Sequence, residues 1–164
     1  MNKKETIKHF LLNKTQIEKI EFFINSITTY NNHTNLIGKS TIVSFWNRHI
    51  SDCLQLTKYI NNKKSKILDM GTGAGLPGIL ISIIGYQNVT MVDSVKKKTD
   101  FINKIIEDLS LTAKVKNNRI EKTKLKKQDI IVSRALAPLK ELLTYTRMHS
   151  NINTTSLFLK GRSV

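Results

Sequence analysis

The sequence predicts an α/β fold, a parallel sheet with helices on both faces, behind an N-terminal helical part. Three observations carry that prediction. From residue 67 onward, short apolar runs of strand length alternate with helical patterns. The first of those runs opens into a glycine-dense turn, Asp69-Met70-Gly71-Thr72-Gly73-Ala74-Gly75-Leu76-Pro77-Gly78. Ahead of residue 63, the apolar residues recur at helical spacing only. A length of 164 residues suits one domain, read as a helical part over 1–62 and an α/β core over 63–164.

In the helical part, Thr15-Gln16-Ile17-Glu18 reads as a capping box. Ile17, Ile20, Phe23, Ile24 and Ile27 then mark an amphipathic helix to about Tyr30, broken by Asn31-Asn32-His33-Thr34-Asn35. A second helix is expected from Ser40 or Thr41 to about Tyr59. Its stripe is Ile42, Phe45, Trp46, His49, Ile50, Cys53, Leu54 and Leu56. In the core, the expected strands are Ile67–Met70, Val89–Val92, Ala113–Lys116, Asp129–Ser133 and Ser156–Lys160. Between them come a short buried helix over Pro77–Ile84 closed by Gly85, one through Phe101 to Leu109, and one through Leu139 to Thr146. Pro77 and Pro138 both sit where a helix starts and a missing N–H costs nothing. In parallel sheets of this kind, ligands gather at the carboxyl ends of the strands, near the point where strand order reverses.

The formal net charge is +15, from 27 Lys and Arg against 12 Asp and Glu. Such a balance suits a nucleic-acid partner, because each cation placed at a phosphate releases condensed counterions. It also suits a chain rich in Lys, Asn and Ile, whose AT-rich codons alone raise the charge; only Arg48, Arg119, Arg134, Arg147 and Arg162 are arginines. Lys96-Lys97-Lys98 opens a helix against the macrodipole, which hints at phosphate contacts, although a solvated surface explains it as well. Lys122, Lys124, Lys126 and Lys127 carry the same two readings. The single cysteine, Cys53, allows no internal disulfide, and no apolar run approaches the ~20 residues that span a bilayer. A soluble, cytoplasmic, monomeric protein is the expectation.

The glycine turn admits two ligands. From Gly73, Gly73-Ala74-Gly75-Leu76-Pro77-Gly78 satisfies the dinucleotide pattern G-x-G-x-x-G. That register starts late, and Pro77 deletes an amide that a pyrophosphate needs. The other register starts at the strand end, Asp69-x-Gly71-x-Gly73-x-Gly75, and resembles motif I of the Rossmann-like class I methyltransferases. Their cofactor, S-adenosyl-L-methionine, carries an ammonium and no phosphate, so an acid before the glycines fits. Asp93 ends the second strand about twenty residues on, where a carboxylate accepts from both ribose hydroxyls of either nucleoside. An NAD-linked oxidoreductase is therefore the rival reading, disfavoured by Asp69 and Pro77.

Further segments, in order, carry a resemblance. They are Asn35-Leu36-Ile37-Gly38, Trp46-Asn47-Arg48-His49-Ile50-Ser51-Asp52-Cys53, the Asp69–Gly78 loop, Val92-Asp93-Ser94, Asn118-Arg119-Ile120-Glu121, Ser133-Arg134-Ala135 and Leu159-Lys160-Gly161. Together they resemble the bacterial small-subunit (16S) ribosomal RNA guanine-N7 methyltransferase family, RsmG or glucose-inhibited division protein B, over roughly residues 15 to 161. The resemblance implies cofactor contacts at Gly71, Leu76, Ile120, Glu121 and Arg134, joined by Asp69, Gly73, Gly75 and Asp93 from the loop reading. It implies Glu121 near the adenine edge and Arg134 facing the cofactor beside the incoming base. It implies methyl transfer to N7 of a guanosine in small-subunit rRNA, naked or in the 30S subunit, without a general base. No metal is expected. His49 and Cys53 stand i, i+4, but two ligands make no site; His49 is either a packed core histidine or a shaper of the site, with Arg48 and Asp52 as an i, i+4 pair.

The resemblance also implies a last helix and an antiparallel strand pair beyond Lys160-Gly161, where this sequence holds only Arg162-Ser163-Val164. A C-terminally short member is thus expected, with Leu157-Phe158-Leu159 near an uncovered sheet edge. A weakly active or inactive member, binding RNA or cofactor without turnover, stays open beside the active one.

Overall fold

The computed structural model describes residues 1–31, 36–38 and 44–159. Strands β1 (Lys66–Met70), β2 (Asn88–Asp93), β3 (Lys114–Asn117), β4 (Ile130–Arg134) and β5 (Thr155–Leu159) form one sheet in the order β3-β2-β1-β4-β5. Every pairing is parallel. The expected strands are all present, each within one residue of its expected bounds; the expected end of the fifth, Lys160, lies outside the described residues.

Strand order steps outward from β1 to β2 and β3, then crosses back so that β4 lies on the other side of β1. Met70 pairs with Ser133 in register, so the loops leaving β1 and β4 start side by side at one edge. Those loops lead to helices on opposite faces. A crevice opens between them, which is where such sheets bind ligands.

Side-chain alternation sorts the strands onto two cores. Ile67, Val89, Met91, Ile130 and Val132 face one layer, which holds α2 (Lys14–Asn31), α4 (Gly78–Ile83) and α5 (Lys96–Asp108). Leu68, Met70, Val92 and Ile131 face the other, with Ile120 and with Leu142 of α6 (Leu139–His149). A sheet covered on both faces explains why its strands read as unbroken apolar runs.

The front of the chain differs from expectation in three ways. A short helix, α1 (Lys3–His9), precedes the expected one and is closed by a capping box between Asn2 and Glu5. The Thr15–Glu18 box is not made. Helix α2 starts at Lys14, the Asn13 side chain accepts from the Gln16 amide at 2.9 Å, and the Gln16 side chain accepts from the Asn13 amide at 3.0 Å. Asparagine outranks threonine as an N-cap, and the glutamine three residues on completes the reciprocal pair. Third, the start of the expected second helix, with Ile42, lies outside the described residues. Its remainder changes pitch, from a π-helical turn (Trp46–Ile50) to α3 (Ser51–Leu54) to a 3-10 turn (Gln55–Tyr59). The predicted stripe still points inward at Phe45, His49, Ile50, Cys53, Leu54 and Leu56. Arg48 and Asp52 are both exposed and, among the described residues, form no ion pair, because the widened turn no longer stacks i over i+4.

Pro77 and Pro138 occupy the N-cap positions of α4 and α6. Lys96 pairs with Asp100 one turn on; Lys96 and Lys97 are exposed and Lys98 is half-buried. Among the described residues β5 is a sheet edge, and its Leu157–Leu159 segment is half-buried. No described helix is long and apolar enough to cross a membrane.

Helix α2 belongs to the main core: Ile20, Phe23 and Ile27 are fully buried in it, and the Lys19 Nζ donates to the Leu109 carbonyl, just past α5, at 2.7 Å. Truncating Phe23 to alanine is therefore expected to cost ~3–5 kcal/mol, read as a lowered urea midpoint with an unchanged slope. A loss under ~1 kcal/mol would mean that α2 is merely appended to the sheet layer.

Candidate functional site

The loop between β1 and α4 is built on a buried acid. Asp69, near the end of β1, is fully buried. Its Oδ2 accepts from the Thr72 hydroxyl at 2.6 Å and from the Gly78 amide at 2.8 Å, so one oxygen clamps both ends of the loop. Oδ1 has no hydrogen-bond partner among the described residues. Burial pushes the Asp69 carboxyl up to about 7, against the opposing pull of Thr72 and Gly78. Gly78 must approach this closely: a Cβ there would lie 2.6 Å from the Met91 sulfur and 2.9 Å from Asp69 Oδ2.

Above the clamp, the backbone turns through Gly71 at φ +67°. A Cβ on Gly71 would run into the Leu136 side chain from the β4–α6 loop. The Gly73 amide donates to Asp93 Oδ2 at 2.9 Å, and the Val95 amide donates to Asp93 Oδ1 at 2.9 Å. Asp93 thus ties the glycine loop to the end of β2 while each oxygen keeps a lone pair for another donor.

Two cavities meet at Gly71. One, of about 220 Å³, is lined by Gly71, Val92, Asp93, Ser94, Asn118, Arg119, Ile120, Glu121, Leu136, Ala137, Glu141 and Tyr145. The other, of about 250 Å³, is lined by Ile37, Gly38, His49, Gly71, Thr72, Gly73, Ala74, Leu76, Arg134 and Ala135. Neither reaches the ~300 Å³ where small-molecule pockets usually begin, so a nucleoside-sized ligand needs both. Of the residues expected from sequence, Gly71, Asp93, Ile120 and Glu121 come together in the first cavity, and Gly71, Gly73, Leu76 and Arg134 in the second. Asp69 and Gly75 line neither. Asp69 lies beneath the loop, and a Cβ on Gly75 would point at Ile79 and Ile102 in the core.

The charges divide between the cavities. The first holds Asp93, Glu121 and Glu141 against Arg119, whose pairing with Glu121 at 3.8 Å is exposed and worth little. Among the described residues, the second has one charged side chain, Arg134. Its Nη2 lies 2.6 Å from His49 Nδ1 and donates to the Arg48 carbonyl at 3.4 Å, while Nη1 reaches the Cys53 sulfur at 3.9 Å. Burial, helped by Arg134 and Arg48, pushes His49 down to about 4, so the ring is neutral. Burial pushes the Cys53 thiol up to about 12, so it stays protonated.

Sequence reasoning missed Leu136, Ala137, Glu141 and Tyr145 as lining residues, since no local signal marks them. It also missed Asn31, whose side chain accepts from the Leu36 and Ile37 amides at 2.7 and 3.1 Å and so holds Ile37 at the rim of the second cavity.

A family model described as GidB, rRNA small subunit methyltransferase G, matches residues 16–164. A protein of Rickettsia prowazekii named "Ribosomal RNA small subunit methyltransferase G" is 39% identical over 147 residues, covering 90% of this chain and 76% of its own length. One of the same name from Orientia tsutsugamushi is 32% identical over 155 residues, covering 94% of this chain and 77% of its own. Among solved structures, the YcgJ protein of Bacillus subtilis matches with a TM-score of 0.60 at 16% identity, over 67% of this chain and 50% of that one. A ribosomal protein L11 methylase of Lactobacillus delbrueckii matches with a TM-score of 0.58 at 20% identity, over 66% of this chain and 57% of that one. These two share the fold.

The buried clamp makes stability depend on pH. A carboxyl raised in the folded state contributes fully below its unfolded value near 4, and its contribution is lost as pH rises through about 7. Asp69→Asn keeps an oxygen for Thr72 and Gly78 and removes the ionisation. Between pH 5 and pH 8 the parent is expected to lose urea resistance relative to the variant; parallel profiles would contradict the assignment.

Proposed function

This chain belongs to the rRNA small subunit methyltransferase G family, and we propose that it transfers a methyl group from S-adenosylmethionine to N7 of a guanosine in 16S ribosomal RNA. The observation that carries the reading is the paired cavity around Gly71, with the Asp93 carboxylate on one side and, on the other, the Arg134 guanidinium, which forms no ion pair among the described residues.

The residues fit this cofactor and not a dinucleotide. A pyrophosphate would need the first amides of α4. Pro77 has none, and the Gly78 amide is already given to Asp69, whose carboxylate would repel a phosphate. The cofactor instead presents two hydroxyls, an adenine, an ammonium and a carboxylate. Asp93 would accept from the ribose hydroxyls, and Ile120 and Glu121, which line the same cavity, would hold the adenine. Gly71 and Gly73 leave backbone open to close approach, and Arg134 suits the carboxylate. Asp69, whose Oδ1 has no hydrogen-bond partner among the described residues, gives when ionised the negative surroundings that an ammonium prefers.

When bound, the cofactor supplies an electrophilic methyl on a sulfonium. The attacking atom, guanine N7, has a free lone pair at neutral pH, so no side chain has to remove a proton. What remains for the protein is in-line positioning and exclusion of water. N7 is out of reach in the deep A-form groove, so the target base is one that is unpaired or swung out. The excess of lysine would contact backbone phosphates and orient the RNA, whether naked or in the 30S subunit.

The deciding experiment is transfer of a labelled methyl group from S-adenosylmethionine to small subunits that lack the modification. Label recovered as 7-methylguanosine is expected; cofactor binding without transfer would favour a non-catalytic member. RNA affinity is expected to fall steeply with salt, log K losing ~0.7–0.9 per phosphate contact for each unit of log salt. A flat dependence would remove the phosphate role from the lysines.

A further inference from the structure

We propose that His49 is a positioning residue, whose imidazole, with the π-helical turn that carries it, holds the Arg134 guanidinium at the second cavity to receive the carboxylate of the cofactor's amino-acid end. The inference rests on the cofactor reading given above.

A guanidinium has donors and no acceptor. Its Nη2 stands 2.6 Å from His49 Nδ1, so Nδ1 must be the acceptor and the ring proton must lie on Nε2. The imidazole is itself fixed: it is 5% exposed, and its ring centroid lies 4.7 Å from that of Phe45. The Arg48 carbonyl, from the same π-helical turn, and the Cys53 sulfur, from the helix that continues it, complete the hold on Arg134. All three contacts come from the helical front, 81 to 86 residues away in sequence. π-helical turns inside helices often mark functional sites, because the wider turn re-aims what it carries.

The choice of a neutral acceptor is the informative feature. An aspartate or glutamate at this position would grip the arginine harder and neutralise it. Histidine orients the guanidinium and leaves its charge unspent. Among the described residues Arg134 forms no ion pair, and it is the one charged side chain lining the second cavity. A pre-oriented, unpaired cation beside Gly71 and Gly73 suits a carboxylate entering that cavity, and holding it in advance lowers the ordering cost of binding.

Two ligands separate this role from plain packing. S-adenosylhomocysteine carries the amino-acid end; 5′-methylthioadenosine lacks it. By calorimetric titration, His49→Leu is expected to weaken S-adenosylhomocysteine about tenfold and to leave methylthioadenosine within about twofold. His49→Asn, which sets an amide oxygen near the place of Nδ1, is expected to rescue the affinity, whereas His49→Gln, which sets it one atom further out, is not. In an Arg134→Leu background, His49→Leu should add nothing. Equal weakening of both ligands, no weakening of either, or additive effects of the two leucines would overturn the proposal. Should His49→Leu fail to fold, the Asn and Gln variants decide, and equal affinities for the two would overturn it. A parent protein that binds both ligands equally, or an Arg134→Leu variant that keeps its preference for S-adenosylhomocysteine, overturns the cofactor reading of Arg134 itself.

Discussion

Everything at the crevice hangs on a carboxylate that has been taken out of water. Asp69 spends one oxygen on the Thr72 hydroxyl and the Gly78 amide, which closes the loop after β1 into a fixed shape. Burying an acid is costly unless hydrogen bonds compensate it, and here the compensation comes from the two ends of the segment that the site requires. Two consequences follow. The first amide of α4 is already engaged, so the helix offers nothing to a phosphate. The loop is also lifted so that Gly71 and Gly73 face outward between two cavities, with the Gly73 amide linked to Asp93 across the gap from β1 to β2.

Topology supplies the second constraint. Because β4 returns beside β1, Arg134 emerges next to Gly71, although the two are far apart in sequence. The helical front then reaches over this edge and fastens the arginine through His49, Arg48 and Cys53. The front therefore contributes twice, to the main core through Phe23 and Ile27 and to the site through the π-helical turn. Among the described residues, the first cavity carries carboxylates that can accept from the hydroxyl and amino groups of a nucleoside, and the second carries Arg134, which suits a carboxylate.

The sequence was most readable where burial is simplest. Strands covered on both faces show as apolar runs, and Ile67, Val89, Ile130 and Leu157 each lie within the strands read from them. The glycine turn announced itself through Asp69, Gly71 and Pro77, because close approach and backbone reversal leave few alternatives to those residue types. Less readable were features set by competition or by distance. Asn13 took the cap from Thr15 because two boxes overlap, and only small differences in capping strength separate them. The π-helical turn at Trp46–Ile50 has no local signature, so a 3.6-residue period gave the right stripe and the wrong pitch. Leu136, Glu141 and Tyr145 border the first cavity only because α6 folds back across the sheet edge, which no short window of sequence contains. His49 could be read as core or as site; its partner lies 85 residues away.

The central claim is that the clamped glycine loop, with Asp93 and Arg134 on its flanks, holds a nucleoside bearing an amino acid and not a dinucleotide. Calorimetric titration of the protein with S-adenosylhomocysteine and, separately, with NADH tests it most directly. The account predicts saturable one-to-one binding of S-adenosylhomocysteine and no saturable heat with NADH. Tight binding of NADH, or no binding of S-adenosylhomocysteine by the folded protein, would contradict it.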